Sequence, residues 1–156
     1  MTNIQSSRAG AFSDLAEGEF AARVDLPVPP DELFDWLAST DVTRWWVRPG
    51  VFDTRRWSGD VRPGGKWEAS GVGRGQPYDL DGEFLTVDRP RRLVHTWHPS
   101  GSPTSPTTVS YDLEQTDGGT RLTLRHAGNP TPEAIDANGI GWETSLTRLA
   151  ELIDKD

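Results

Sequence analysis

GGTRLTLRHAGNPTPEAIDANGIGWETSLTRLAELIDKD, Gly118 to Asp156, changes its period part-way along. In the first part Leu122, Leu124 and His126 alternate with Thr123 and Arg125. That is the two-residue repeat of a half-buried strand, entered through a Gly-Gly turn. In the second part Trp142, Leu146, Leu149 and Ile153 recur at four- and three-residue steps, the repeat of one helical face. Thr131 is placed to cap this helix, with Pro132 at the first helical position and Glu133 in the first turn. Gly139 and Gly141 each cost a helix about 1 kcal/mol relative to Ala. Their presence points to a close approach of another backbone or to a kink.

Working back from that strand, the chain reads as consecutive hairpins. "TTVSYDLEQ" puts Val109, Tyr111 and Leu113 on one face, and "LVHTWHP" does the same for Leu93, His95 and Trp97. "YDLDGEFLTVD" is a strand, "GVGRGQP" a glycine-rich hairpin loop, and "DVRPGGKWEASG" a Pro-Gly-Gly turn leading into a strand through Trp67. Six strands thus follow Phe52. Before them, "PDELFDWLAS" predicts a short helix that turns Leu33, Phe34 and Leu37 to the core, and "STDVTRWW" a second, capped by Thr40 or Asp41. Phe20, Ala22, Val24 and Leu26 alternate in a first strand, which "PVPP" ends. Met1 to Glu17 show no sustained period and read as a loose tail, leaving one domain over residues 18–156. The expected architecture is α+β. A seven-stranded antiparallel meander curls, with the first strand on its edge, and the C-terminal helix covers the concave face.

The stretch from Arg44 to Trp67, "RWWVRPGVFDTRRWSGDVRPGGKW", mixes tryptophan with arginine as a single-strand nucleic-acid platform does. The whole chain has a formal net charge of −8, however, and acids such as Asp53 and Asp60 flank the arginines. Phosphate binding needs a basic face, so no nucleic-acid partner is expected. With no Cys in the chain there is no disulfide or thiolate chemistry. No apolar run is long enough to span a bilayer and no signal region opens the chain, so a cytoplasmic protein without a membrane partner is expected.

Several motifs carry less than they suggest. "GVGRGQ" lacks a P-loop lysine and the helix that would bind phosphate. His95 and His98 form H-x-x-H, but residues three apart on a strand face opposite ways, so no metal site is expected. Glu68, Glu83 and Asp112 read as outer-face charges, and no Ser-His-Asp order or G-x-S-x-G is present. His95, Trp97, Tyr111 and His126 are different, because parity puts them on the apolar face. Buried polar groups there must find partners. Two readings stand: they bond to one another as core, or they project into a pocket and orient a ligand, where His and Tyr also suit general acid–base work.

Four segments carry a family resemblance. "RPGGKW" (Arg62 to Trp67) resembles the Pro-Gly-Gly-x-aromatic turn of the START-like superfamily, in the branch of activator of heat-shock-protein-90 ATPase homologues. "GEFLTVDRPRRLVHTW" (Gly82 to Trp97), "GGTRLTLRHAG" (Gly118 to Gly128) and "GWETSLTRL" (Gly141 to Leu149) resemble that branch's strand-turn-strand, last strand and C-terminal helix. The resemblance covers Gly18 to Asp156 and implies the helix-grip fold, with a cavity between curved sheet and long helix.

Trp45, Trp46 and Trp57 then belong to the wall and lid of that cavity. Trp46, Trp67, Phe84, His95, Trp97, Tyr111, His126 and Trp142 are the implied ligand-binding positions. The leading expectation is non-covalent binding of a small apolar or aromatic molecule, with no cofactor. Polyketide cyclase, aromatase or hydrolase chemistry with His126 or His95 and Tyr111 stands as an alternative. So does a self-sacrifice resistance protein or a chaperone-interacting module, as the resemblance implies; no catalytic residue is assigned.

Overall fold

The structure is a computed structural model that describes residues 9–14, 18–48, 50–129 and 131–155. The elements in chain order are β1 (Ala9–Asp14), β2 (Glu19–Leu26), α1 (Pro30–Leu37), α2 (Val42–Trp45), β3 (Val47–Arg48), β4 (Phe52–Gly59), β5 (Lys66–Gly73), β6 (Gln76–Asp88), β7 (Arg92–Pro99), β8 (Thr107–Thr116), β9 (Gly119–Ala127) and α3 (Pro132–Lys155). One antiparallel sheet runs in the order β1-β2-β9-β8-β7-β6-β5-β4-β3. From β3 to β9 the sheet is a meander of hairpins, and β2 returns to pair with β9. The sheet curls into a half-barrel, and α3 packs against its hollow side, the α+β arrangement of the helix-grip fold. Among the described residues no helix is long and apolar enough to cross a membrane.

The meander, the strand on its edge and the period change at α3 all appear where the sequence puts them. Thr131 Oγ1 accepts the Ala134 N–H at 3.1 Å and so caps α3. Leu146, Leu149 and Ile153 are buried on α3 in one core with Phe20, Ala22 and Val24 of β2 and Leu122 and Leu124 of β9. The Pro-Gly-Gly turn works by backbone bonding to β6. Gly64 N–H donates to the Phe84 carbonyl and Phe84 N–H to the Gly65 carbonyl, both at 2.8 Å.

Five expectations change. The stretch read as a loose tail contains a strand: Ala9–Asp14 pairs with β2 from Ala9↔Val24 to Asp14↔Glu19. The rest of Met1 to Glu17 lies outside the described residues. Ladder bonds are made by backbone groups, so the free edge of β2 can pair with a segment that has no side-chain period. With β1 and the two-residue β3, the sheet has nine strands rather than seven. The "GVGRGQP" loop shrinks to a two-residue turn, Arg74-Gly75, both at positive φ (53° and 79°), because Gly71 to Gly73 and Gln76 belong to the ladder. At α2, Asp41 is the N-cap residue but its side chain makes no cap bond. Ser39 Oγ accepts the Asp41 N–H instead, at 3.1 Å. Trp36, outside the expected core set, is buried, and its carbonyl accepts the Trp45 Nε1–H at 2.9 Å.

The two helical glycines have separate reasons. A Cβ on Gly139 would lie 2.5 Å from Cδ1 of the buried Phe20 ring, whereas one on Gly141 would sit at an ordinary 3.7 Å from Phe52. The close approach at Gly139 is therefore to a β2 side chain. Gly139→Ala is expected to destabilise the fold by about 1–3 kcal/mol through overpacking. Gly141→Ala is expected to stabilise it by up to about 1 kcal/mol through helix propensity. Urea denaturation of both variants checks the contrast, and two shifts of the same sign would contradict it.

Candidate functional site

Strand parity and the end of α2 bring the predicted residues into one cluster. Trp46 follows α2, and its ring centroid lies 5.1 Å from that of Trp97 on β7, 5.7 Å from Trp67 on β5 and 5.8 Å from Trp142 on α3. Trp67 lies 5.0 Å from His95, and His95 lies 5.6 Å from Tyr111 and 6.1 Å from Phe84. Trp97 also contacts Trp142 (5.3 Å) and His126 (5.6 Å). Most of these pairs are tilted or edge-on, the arrangement that ring quadrupoles favour. Trp67 is locked across Gly82, where a Cβ would fall 2.2 Å from its Nε1. That N–H donates to the Thr96 carbonyl at 3.1 Å.

The two buried histidines hold opposite tautomers, and their partners dictate which. Indole nitrogen only donates, so Trp142 Nε1–H to His126 Nδ1 (2.9 Å) leaves Nδ1 bare. The proton of His126 is on Nε2, which donates to Thr107 Oγ1 at 2.6 Å. Thr107 in turn donates to the Trp97 carbonyl at 3.2 Å. A carbonyl only accepts, so His95 donates from Nδ1 to the Thr96 carbonyl at 2.9 Å. Its Nε2 faces the Tyr111 hydroxyl at 3.4 Å. Burial pushes the His95 pKa down to about 4, against a smaller upward pull from the Thr96 carbonyl. Burial, with His95 nearby, pushes His126 down to about 3. Burial also raises the Tyr111 phenol well above its ordinary value. All three groups are neutral near pH 7.

A cleft of about 580 Å³ opens beside this cluster, between the N-terminal half of α3 and the ends of β4, β5 and β6. That volume suits a small organic ligand. Trp46, Trp97 and Trp142 form its aromatic wall. Trp67, Phe84, His95, Tyr111 and His126 do not line it; they are packed behind that wall, each at most 3% exposed. The other side is built from Phe52, Thr54, Tyr78 and Leu80, with Arg48 and Arg74 at the strand ends. The Tyr78 and Thr54 hydroxyls are hydrogen-bonded to each other. Tyr78 has a raised pKa, mainly through burial. Trp46 Nε1 is the buried side-chain polar atom without a hydrogen-bond partner among the described residues. A larger depression of about 840 Å³ near Trp57 is walled by Arg56, Glu68, Asp79 and Asp81 and is more polar. Among the described residues no cluster of His, Asp and Glu could hold a metal ion.

The family described as "Activator of Hsp90 ATPase homolog 1-like protein" matches residues 27–154, most of the chain. The chain belongs to this family. Among solved structures, a protein from Rhodobacter sphaeroides superposes with a TM-score of 0.80 at 21% identity, covering 96% of this chain and 99% of its own. One from Mycobacterium smegmatis gives 0.78 at 20% identity, with 92% and 94% covered. The AHSA1 protein from Silicibacter pomeroyi gives 0.73 at 25%, with 88% and 99% covered. No curated protein matches. In this Activator of Hsp90 ATPase homolog 1-like chain, the residues that sequence reasoning missed are the far wall: Arg48, Phe52, Thr54, Arg74, Tyr78 and Leu80. The alternation of Phe52 with Thr54 on β4 and of Tyr78 with Leu80 on β6 was visible, but the register that brings those strand ends beside α3 was not. The helical side carries a signal, since Asn138, Gly141, Trp142 and Ser145 fall three and four apart.

Burial of neutral histidines makes stability depend on pH. Unfolded, each histidine takes up a proton near pH 6.5. Between pH 6.5 and about 4 the unfolded chain therefore binds more protons than the folded one. Stability is full above that window and falls as pH drops through it, by up to about 1.4 kcal/mol per pH unit for each histidine. Urea midpoints measured from pH 6.5 to 5, above the carboxylate range, should fall accordingly. His126→Asn keeps an acceptor for Trp142 but cannot be protonated, so it should cut the slope by about half. An unchanged slope would remove His126 from the account.

Proposed function

We propose that the protein binds a small, flat, largely apolar molecule non-covalently in the cleft walled by Trp46, Trp97 and Trp142. The observation that carries this reading is the convergence of three indoles, from the end of α2, from β7 and from α3, on one side of a 580 Å³ space. Aromatic walls of this kind gain from both buried area and ring geometry.

The acid–base alternative has less support. His126 has both ring nitrogens engaged, His95 bonds to Thr96 and Tyr111, and none of the three groups lines the cleft. Nucleic-acid binding is disfavoured too, because Arg44, Arg55 and Arg62 of the Trp-rich stretch face Asp41, Asp53 and Asp60. A chaperone-docking role would call for an exposed apolar patch. The exposed large hydrophobic residues among those described are Leu85 and Ile140, and Ile140 belongs to the rim of the cleft.

A neutral naphthalene probe, N-phenyl-1-naphthylamine, tests the reading through its own emission. Saturable binding is expected at tens of micromolar or tighter, about −6 kcal/mol or better. Ala137 is exposed on α3 at the cleft wall, so Ala137→Trp fills the mouth without disturbing the core. It should weaken binding at least about tenfold with little change in melting temperature. Absence of saturable binding, or indifference to Ala137→Trp, would count against the proposal.

A further inference from the structure

We infer that the molecule bound in this cleft is an organic anion, its flat body against the indole wall and its acidic group between Arg48 and Arg74. The inference rests on the binding reading above and adds the charge of the ligand. In a chain of net charge −8, no Asp or Glu appears among the described residues that line the cleft, whereas two arginines do. Cross-strand register sets them at one end of the sheet. Arg48 lies opposite Phe52, Phe52 lies opposite Gly73, and Arg74 is the next residue.

Many arginines elsewhere among the described residues are matched to carboxylates: Arg89 to Asp31 and Asp35, Arg92 to Asp112, Arg121 to Asp25, Arg125 to Glu19. For Arg48 and Arg74 no carboxylate partner occurs among the described residues. Arg56 and Arg148 share that condition, but Arg56 borders the other depression and Arg148 donates to the Arg44 carbonyl at 2.6 Å. The carboxylate whose field reaches Tyr78, that of Asp53, is itself paired with Arg55 at 3.2 Å. The anionic group therefore meets guanidinium charge at a wall that carries no carboxylate among the described residues, with Asp53 and Arg148 on a neighbouring depression that Arg74 also borders, and a planar guanidinium suits a carboxylate, sulfonate or phosphate ester alike.

Arg74 carries an independent mark. It is the non-glycine residue with positive φ (53°) among those described, at a turn position where Asn or Gly is easier to place. The turn gains nothing in backbone geometry from arginine, and among the described residues the side chain forms no ion pair that would repay the strain. What it contributes is a cation at the cleft.

A matched pair of probes isolates the charge. 1-Anilinonaphthalene-8-sulfonate has the body of N-phenyl-1-naphthylamine plus a sulfonate. On the parent protein the sulfonate is expected to bind at least about tenfold tighter than the neutral probe, with the preference shrinking as salt rises. In Arg48→Gln/Arg74→Asn the ratio of the two affinities should fall toward one. Arg74→Asn alone, which suits the turn and should not lower the melting temperature, should reduce it part-way. Equal affinities on the parent, both abolished by Ala137→Trp, would overturn the anion inference and leave cleft binding standing. A preference for the sulfonate that survives both arginine substitutions would also overturn it. If neither probe binds, the cleft reading fails and this one with it.

Discussion

The hydrogen bond from Trp142 Nε1 to His126 Nδ1 is the joint on which this structure turns. It ties the long helix to the sheet through a buried bond, and it can form only if the imidazole is unprotonated on that nitrogen. The proton is thereby placed on Nε2, which engages Thr107, and Thr107 engages the Trp97 carbonyl. One chain of bonds thus runs from α3 through β9 and β8 to β7. In the low dielectric of the core each link left unmade would cost the desolvation of a polar group, so the links specify the seating of the helix as well as stabilise it.

The seating of α3 decides where empty space remains. Between sheet and helix, indole and imidazole rings fill the volume behind Trp46, Trp97 and Trp142. The remaining room lies at the end where Ala137, Gly141 and Ser145 present small side chains or none. Two structures with this topology can therefore differ in cavity depth through side-chain volume alone. This separates what the family membership settles, the half-barrel and its helix, from what belongs to this chain, the position and chemistry of its cleft.

Much of the architecture was legible because it rests on period. Leu122, Leu124 and His126 alternate, Trp142 to Ile153 step by a helical turn, and the hairpins are punctuated by Gly and Pro. The strand at Ala9–Asp14 was illegible because it is held through backbone pairing to the edge of β2, which leaves no side-chain period to read. At the site, parity correctly placed His95, Tyr111 and His126 inside, but parity has no depth. It cannot tell a ring at the cleft surface, such as Trp97, from one buried behind it, such as Trp67. The arginines were masked for a similar reason: in sequence Arg48 and Arg74 resemble every other surface arginine, and only the register of β3, β4 and β5 shows them flanking the same end.

The indole cluster also has an optical consequence. Trp46, Trp67, Trp97 and Trp142 lie with ring centroids 5.1–6.0 Å apart along their contacts, and Trp45 stands 6.1 Å from Trp46. At such separations excited states are shared among the rings before they decay. Light absorbed by any member is emitted from whichever ring has the lowest-energy excited state, and the coupled transitions give the folded chain a strong signature in circular dichroism. The five indoles behave as one chromophore, with three of its rings bordering the cleft.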